Sequence, residues 1–426
     1  MGASRRPRID RWECGFLSNY RGDWLLVYGR RKTGKTWLLR RCVEWGLYAT
    51  VSLAGECLLD NGERVTTLEL GECVKRVGSA VKRGATVVLD EFQRLPIKYW
   101  DYLGLVHGES EGLLIACGSS MGIVKKVFDR RSPLLGVFEA FRVDLATVAD
   151  TVASLADHGL GSREAVLWAP IARDPWLLAH IVPEGEPWAK LAEAAPRLAP
   201  VARGLVGEVF VEEERRLTRL YESVLELLAS GFWRAADIAQ HLHSLGLVSE
   251  PHPGMATGVL SVLESMGLVE RVPLWRTRGA RVYYRHRSSL VALLYHVYGM
   301  YDAGEPIQPQ HLALRYGVEL QFNIGELLAG ARGLRRAYAI MPGGRDIDIV
   351  LLDRGSRPQI GYEVKAGPIS GQDAVRAVEA IRAAGIPRAG LISAQQRPPL
   401  VGDESLGPED ILEIAREQAR KYRGRA

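Results

Sequence analysis

The stretch VYGRRKTGKTWLL, Val27 to Leu39, decides how this chain is read. Gly29, Gly34, Lys35 and Thr36 satisfy G-x-x-x-x-G-K-[ST], the spacing of a phosphate-binding loop. In such a loop the backbone N–H groups along Gly29, Arg30, Arg31, Lys32, Thr33 and Gly34 wrap phosphate oxygens. Lys35 reaches the outer phosphates and the Thr36 hydroxyl meets Mg2+. The flanks agree with this reading. WLLVY before the loop is a buried-strand run, and KTWLLRRCVEW after it spaces Trp37, Leu38, Cys42 and Trp45 as a helix does.

The same alternation continues downstream. LYATVSL (Leu47 to Leu53), ATVVL (Ala85 to Leu89) and GLLIAC (Gly112 to Cys117) read as apolar strands, separated by helical patterns over Leu68 to Val81 and Pro96 to Val106. All-apolar strands alternating with helices predict a parallel sheet covered on both faces. The strand ending in LDEFQRL delivers Asp90 and Glu91 to the edge where such sheets bind ligands. There Asp90 is placed to hold hydrated Mg2+ and Glu91 to polarise an attacking water. Ser119, after the next strand, is either a γ-phosphate sensor or a helix N-cap.

The whole chain sets outer limits. It has 426 residues, 47% hydrophobic and 25% charged, which is enough for two or three domains. No run approaches eighteen apolar residues, and the N-terminus lacks an apolar signal region, so a cytoplasmic protein with no membrane partner is expected. The five cysteines, all in the first third and without C-x-x-C spacing, suggest neither a disulfide framework nor a zinc site. A net charge of +5 permits a polyanionic partner without requiring one.

GRRKTGKT and LDEFQRLP together resemble the archaeal AAA+-like, STAND-type ATPases over about 130 residues, a family whose loop often reads GPRRVGKT and whose acidic strand often reads DEFQ. The resemblance implies an α/β fold: a P-loop NTPase parallel sheet over residues 1–160 and a helical lid over 161–216, with ATP and Mg2+ as cofactors. The family's S-P-L-x-G-R segment is present as Ser132 to Val137 without its arginine, leaving Arg130 and Arg131 as charge compensators or solvated helix-end charges. ARDPWLL (Ala172 to Leu178) matches the location of the family's proline-started lid helix, where Arg173 either reaches a phosphate or caps a turn.

Residues 217–309 change rhythm to three helices and a short hairpin, which resembles a winged helix. The third helix, MATGVLSVLESM, carries no Arg or Lys, so base readout in a major groove is poorly supported. The wing is better equipped. Arg276, Arg278, Arg281, Arg285 and Arg287 interleave with Trp275, Tyr283 and Tyr284, which suits phosphate contact or a structural role between domains.

Residues 310–426 follow the order αβββαβ, with Asp348 on the second strand and Glu363-Val364-Lys365 on the third. This resembles the PD-(D/E)XK core, a restriction-endonuclease-like fold. Strand alternation places Asp348 on one face with Val350 and Leu352, and Glu363 with Lys365. Pairing Asp353 with Ile360 would set Asp348 opposite Lys365 and diagonal to Glu363. Two carboxylates can hold Mg2+ or Mn2+, and the lysine can position water or offset phosphorane charge. Glu326 is the expected further ligand, Glu319 the second choice, and Gln372 a water-orienting group.

Two functions follow as expectations. In one, Mg2+-dependent ATP binding and hydrolysis through Lys35 and Glu91 regulates a metal-dependent nuclease acting on DNA through Asp348, Glu363 and Lys365. In the other, an ATP-dependent switch binds nucleic acid or a protein partner with a non-cleaving nuclease-like domain. A third option, an ATP-driven motor, would need homo-oligomer contacts and an arginine finger.

Overall fold

A computed structural model describes residues 7–276, 281–300, 307–341 and 346–424. It divides into two compact units, one comprising Trp12–Asp144 with Gly207–Arg216, the other Leu145–Val206 with Leu217–Tyr422 and the segment ending at Arg11.

The first unit begins with α1 (Trp12–Asn19), β1 (Trp24–Tyr28) and α2 (Lys35–Cys42). There follow β2 (Leu47–Val51), β3 (Glu56–Asp60), β4 (Val65–Glu69), α3 (Leu70–Lys82) and β5 (Val87–Asp90), then α4 (Trp100–His107), β6 (Leu114–Gly118), α5 (Gly122–Val127) and β7 (Phe138–Arg142). The sheet order is β4-β3-β2-β5-β6-β1-β7. Strands β2, β5, β6, β1 and β7 pair in parallel, and β3–β4 is an antiparallel hairpin added at one edge.

Alternation along the parallel strands divides the core in two. Leu26, Ala49, Leu89 and Ala116 pack with residues of α3 and α4, whereas Leu25, Val27, Tyr48, Val88 and Ile115 pack with Leu38, Leu39 and Cys42 of α2 and Leu17 of α1. Both faces are thus covered, as a parallel sheet requires. The hairpin and β7 were not anticipated. Asn61-Gly62, with Gly62 at φ 87, is a hairpin signal whose flanking strands are too short and mixed to stand out.

The expectation about cysteines is corrected. Cys14 is bonded to Cys42 and Cys57 to Cys73, with Cα–Cα distances of 5.2 and 6.1 Å, while Cys117 is free and buried. The first bond joins α1 to α2 and the second joins β3 to α3, so both pairings arise only when separate elements pack.

The second unit contains α6 (Val148–Asp157), α7 (Ser162–Ala172) and most of α8 (Pro187–Glu212), followed by α9 (Arg219–Ala229), α10 (Ala235–Ser244) and α11 (Pro253–Ser265). Strands β8 (Val269–Pro273) and β9 (Val282–His286) form an antiparallel pair after these helices. Then come α12 (Ser289–Met300), α13 (Pro309–Arg332), β10 (Arg335–Ile340), β11 (Asp346–Leu352), β12 (Pro358–Lys365), α14 (Gly371–Ala383), β13 (Ala389–Ser393), β14 (Glu404–Leu406) and α15 (Pro408–Arg423).

The five-stranded sheet runs β10-β11-β12-β13-β14, antiparallel through β12 and parallel beyond it. Ile349, Leu351, Tyr362 and Val364 pack with α13 and α15, and Ile347, Val350 and Leu352 with α14. Among the described residues no helix is long and apolar enough to cross a membrane.

Candidate phosphate-loop site and carboxylate site

The Gly29–Thr36 segment is shaped by backbone demands that its sequence meets. A Cβ on Gly29 would lie 2.0 Å from the Val143 carbonyl oxygen, and Gly34 adopts φ 91 as the N-cap of α2. Lys32 is also left-handed, at φ 64, and is exposed. The Thr33 hydroxyl, buried, donates to the Arg30 carbonyl at 2.9 Å.

Lys35 is only 6% exposed, and its ammonium donates to the carbonyls of Gly29 at 2.8 Å and Arg30 at 2.9 Å. Burial pulls its pKa below the ordinary lysine value, so the loop holds a desolvated cation that an anion would stabilise.

At the same sheet edge β5 ends in Asp90, which is 3% exposed. One of its oxygens accepts from the Thr36 hydroxyl at 2.9 Å and from the Tyr48 hydroxyl at 2.7 Å, and the other accepts from the Glu91 N–H at 2.9 Å. These donors are all neutral. An oxygen cluster of this kind suits a hard divalent cation.

Glu91 turns the chain out of β5 with a left-handed φ of 58. Gln93 donates to its carboxylate at 2.7 Å, Arg94 pairs with it at 2.9 Å, and burial raises its pKa. The same Gln93 amide nitrogen donates to the Ser119 hydroxyl at 2.9 Å, tying the end of β5 to the end of β6. Neither Tyr48 nor Gln93 was singled out from sequence. Gln93 had a signal, its place two residues after Glu91 in DEFQ, whereas Tyr48 looks like any core aromatic.

Arg31 does not stand open to a ligand. Its guanidinium pairs with Glu208 at 2.5 Å and Glu212 at 2.6 Å. Further along the same acidic run, Glu213 accepts from the N–H groups of Met121 and Gly122, the latter at 2.9 Å, and Glu214 pairs with Lys126 at 2.5 Å. The run VEEE at 211–214 matches no motif, so nothing in the sequence marks it.

In the second unit the β11–β12 register pairs Ile349 with Tyr362, Val350 with Gly361 and Leu351 with Ile360. Continued by one residue, it sets Asp348 opposite Glu363, not opposite Lys365. The difference arises because the connection is a tight turn, closed by Asp353 N–H to the Arg357 carbonyl at 3.0 Å, with Leu352 reaching Pro358.

Strand alternation also fails near Asp348. Ile347 and Val350 share one core cluster while Ile349 joins another, and the β10–β11 register shifts at the same level. Asp348 therefore sits at an irregularity, where its carboxylate accepts from the Val364 N–H at 2.7 Å.

Burial and the neighbouring Glu363 charge push the Asp348 carboxyl well above its ordinary value. Lys365 pairs with Glu363 at 2.6 Å, and although burial opposes it, this contact holds the ammonium above its usual range. Two carboxylates beside one lysine make an acidic pair that a divalent cation would relieve.

Glu326 does not join them, which corrects the expected ligand set. Its oxygens accept from Arg173 at 2.6 and 3.0 Å and from Arg287 at 2.9 Å, with Arg336 at 3.8 Å. Glu319 is likewise taken up, by Arg285 and by Arg315 at 3.6 Å. Among the described residues no group of three or more His, Cys, Asp or Glu side chains is arranged to hold a metal. Gln372 stands exposed in the first turn of α14.

The basic wing is also altered. Arg285 is 3% exposed, between Glu270 and Glu319, and Arg287 pairs with Glu270 at 3.1 Å. Trp275, Tyr283 and Tyr284 are buried. Of the two roles open to them, Arg285 and Arg287 take the structural one, as an ion network with Glu270 and Glu319 beside the aromatic residues that pack with α13 and β10. Arg276 and Arg281 remain exposed, and Arg278 lies outside the described residues.

No family model and no curated protein matches this chain. Among solved structures it is similar to the ORC2 protein of Aeropyrum pernix (13% identity, 76% of this chain and 97% of that one, TM-score 0.41). It is also similar to a signal transduction ATPase with numerous domains, carrying a tetratricopeptide repeat sensor, from Pyrococcus horikoshii (14% identity, 76% and 47%, TM-score 0.30). A third is Cdc6p of Pyrobaculum aerophilum (16% identity, 66% and 90%, TM-score 0.25). None of these scores reaches the level of a shared fold.

Proposed function

We propose that the first unit binds and hydrolyses ATP with Mg2+. The observation that carries this reading is the pairing of a buried Lys35, held on loop carbonyls, with a Thr36 hydroxyl on Asp90. In this reading Lys35 exchanges its carbonyl partners for phosphate oxygens, and the loop N–H groups from Gly29 to Gly34 cradle the phosphate chain. Thr36 and Asp90 would hold Mg2+, which would offset phosphate charge when bound. Glu91, oriented by Gln93 and Arg94, takes the proton of the attacking water, and Ser119, joined to Glu91 through Gln93, senses the outer phosphate. Phosphate release by the wild-type chain and by Lys35→Ala tests it. Wild-type turnover with loss in the variant is expected, and turnover that persists in Lys35→Ala would remove the assignment.

In the second unit, three helices followed by an antiparallel strand pair support a winged-helix reading of α9 to β9, with Arg276 and Arg281 as nucleic-acid contacts. Asp348, Glu363 and Lys365 support a nuclease-like site that uses Mg2+ or Mn2+, DNA being the substrate and ATP state the regulator. Asp348 and Glu363 would hold the ion and Lys365 would offset phosphate charge. Incubating the protein with single-stranded and branched DNA, with each metal and with or without ATP, tests this. Cleavage that survives Asp348→Ala would sink the site. DNA retained by Glu363→Ala, with no cleavage by the parent, would support the non-cleaving switch instead.

A further inference from the structure

A cleft of about 650 Å³ opens in the first unit between α3 and the β3–β4 hairpin. Its floor includes Gly46 and Ala85, which precede β2 and β5. The Gly29–Thr36 loop and Glu91 instead follow β1 and β5. Since these strands are parallel, the cleft lies at the opposite sheet edge from the phosphate loop.

The lining carries four cations, Arg64, Lys75, Arg76 and Arg83, against one carboxylate, Glu72. Glu72 is taken up by Arg76 at 2.5 Å. The side chains of Arg64, Lys75 and Arg83 are exposed and form no ion pair among the described residues. Three unneutralised cations facing one cleft repel one another, and a surface of that kind is stabilised by a polyanion.

Their arrangement selects the form of that polyanion. Lys75 and Ser79 lie i, i+4 on α3 and Arg83 is its C-cap residue, so the three follow one side of the helix over about 12 Å at 1.5 Å per residue. Arg64 stands on the hairpin wall. A row suits a chain of phosphates better than a single compact phosphate group. The lining holds no aromatic side chain on which a base could stack. The Cys57–Cys73 bond joins the two walls.

We propose that this cleft binds the phosphodiester backbone of nucleic acid without reading its sequence. It is a surface separate from the nucleotide loop and from the Asp348 site.

The test is binding by the full chain, in EDTA and without nucleotide, so that neither proposed catalytic site has to turn over. The probes are a fluorescein-labelled duplex DNA and a single-stranded RNA, titrated over a range of salt. The triple variant Arg64→Gln/Lys75→Gln/Arg83→Gln is compared with Arg276→Gln/Arg281→Gln. Losing three phosphate contacts should weaken duplex binding tenfold or more and lower the slope of log Kd against log salt by about 2 to 3. An unchanged unfolding midpoint and unchanged ATP binding would show that the triple variant is folded. The DNA and RNA arms show which backbone the cleft prefers. Wild-type affinity and slope in the triple variant, loss confined to the Arg276/Arg281 variant, or capture of polyglutamate in place of either nucleic acid would overturn the proposal.

Discussion

The Tyr48 hydroxyl donates to the same Asp90 oxygen that accepts the Thr36 hydroxyl, at 2.7 and 2.9 Å. Tyr48 lies on the strand beside β5, so a core residue orients the carboxylate that would meet the metal. Tyr48→Phe keeps the packing and removes that bond. Turnover of ATP should fall about tenfold while KM for Mg-ATP moves less, because a misplaced metal ligand acts chiefly on the reacting geometry. Steady-state kinetics checks this, and an unchanged kcat would show Asp90 to be held without Tyr48.

Glu91→Gln keeps the side-chain shape and removes the proposed base. Nucleotide binding should survive while hydrolysis falls by about 10²- to 10⁴-fold, the usual contribution of a positioned base. Gln93→Ala should give a smaller loss, since Arg94 still holds Glu91. Equilibrium binding of a fluorescent ATP analogue beside phosphate release separates the two effects.

Glu212 pairs with Arg31 beside the phosphate loop, and its second oxygen is buried without a hydrogen-bond partner. A triphosphate entering there meets that negative charge. Glu212→Gln should tighten ATP binding a few-fold at low salt, about 1 kcal/mol of relieved repulsion. The gain should shrink as salt is raised. Calorimetric titration at two ionic strengths measures it.

If Asp348 and Glu363 hold a divalent cation, the ion should stabilise the folded chain. At one hundred times its Kd, Mn2+ would add about 2.7 kcal/mol and raise the unfolding midpoint by several degrees. Asp348→Asn should lose that response. A metal-induced shift of equal size in both proteins would place the ion elsewhere.

The arginine network predicts an acid-sensitive unit. Burial works against the Glu326 carboxylate, but Arg173 and Arg287 outweigh it and hold the pKa well below the usual range. A depressed carboxyl contributes stability that is present above its unfolded value, about 4.3, and is lost as pH falls through the folded value. Chemical unfolding from pH 7 to pH 3 should show the advantage over Glu326→Gln shrinking below about pH 4. Arg173→Ala should cost about 3 kcal/mol at neutral pH, the low end for a broken buried pair, because Arg287 remains.

The sequence by itself determined what depends on neighbours along the chain. The placement of Gly29 to Thr36 between a strand and a helix was legible because it is one turn, and that of Asp90-Glu91 because they end an apolar run. The strands β1, β2, β5 and β6 were legible for the same reason, as continuous apolar runs.

Only the tertiary structure decided which distant groups meet. It set Tyr48 against Asp90, Glu212 against Arg31 and the Glu363 charge beside Asp348. It took Glu326 out of its expected role by pairing it with Arg173 and Arg287, and gave Arg285 and Arg287 the structural one of their two roles. A buried charge must find a partner, and which partner it finds depends on how helices and strands far apart in sequence pack, a choice that no local spacing encodes.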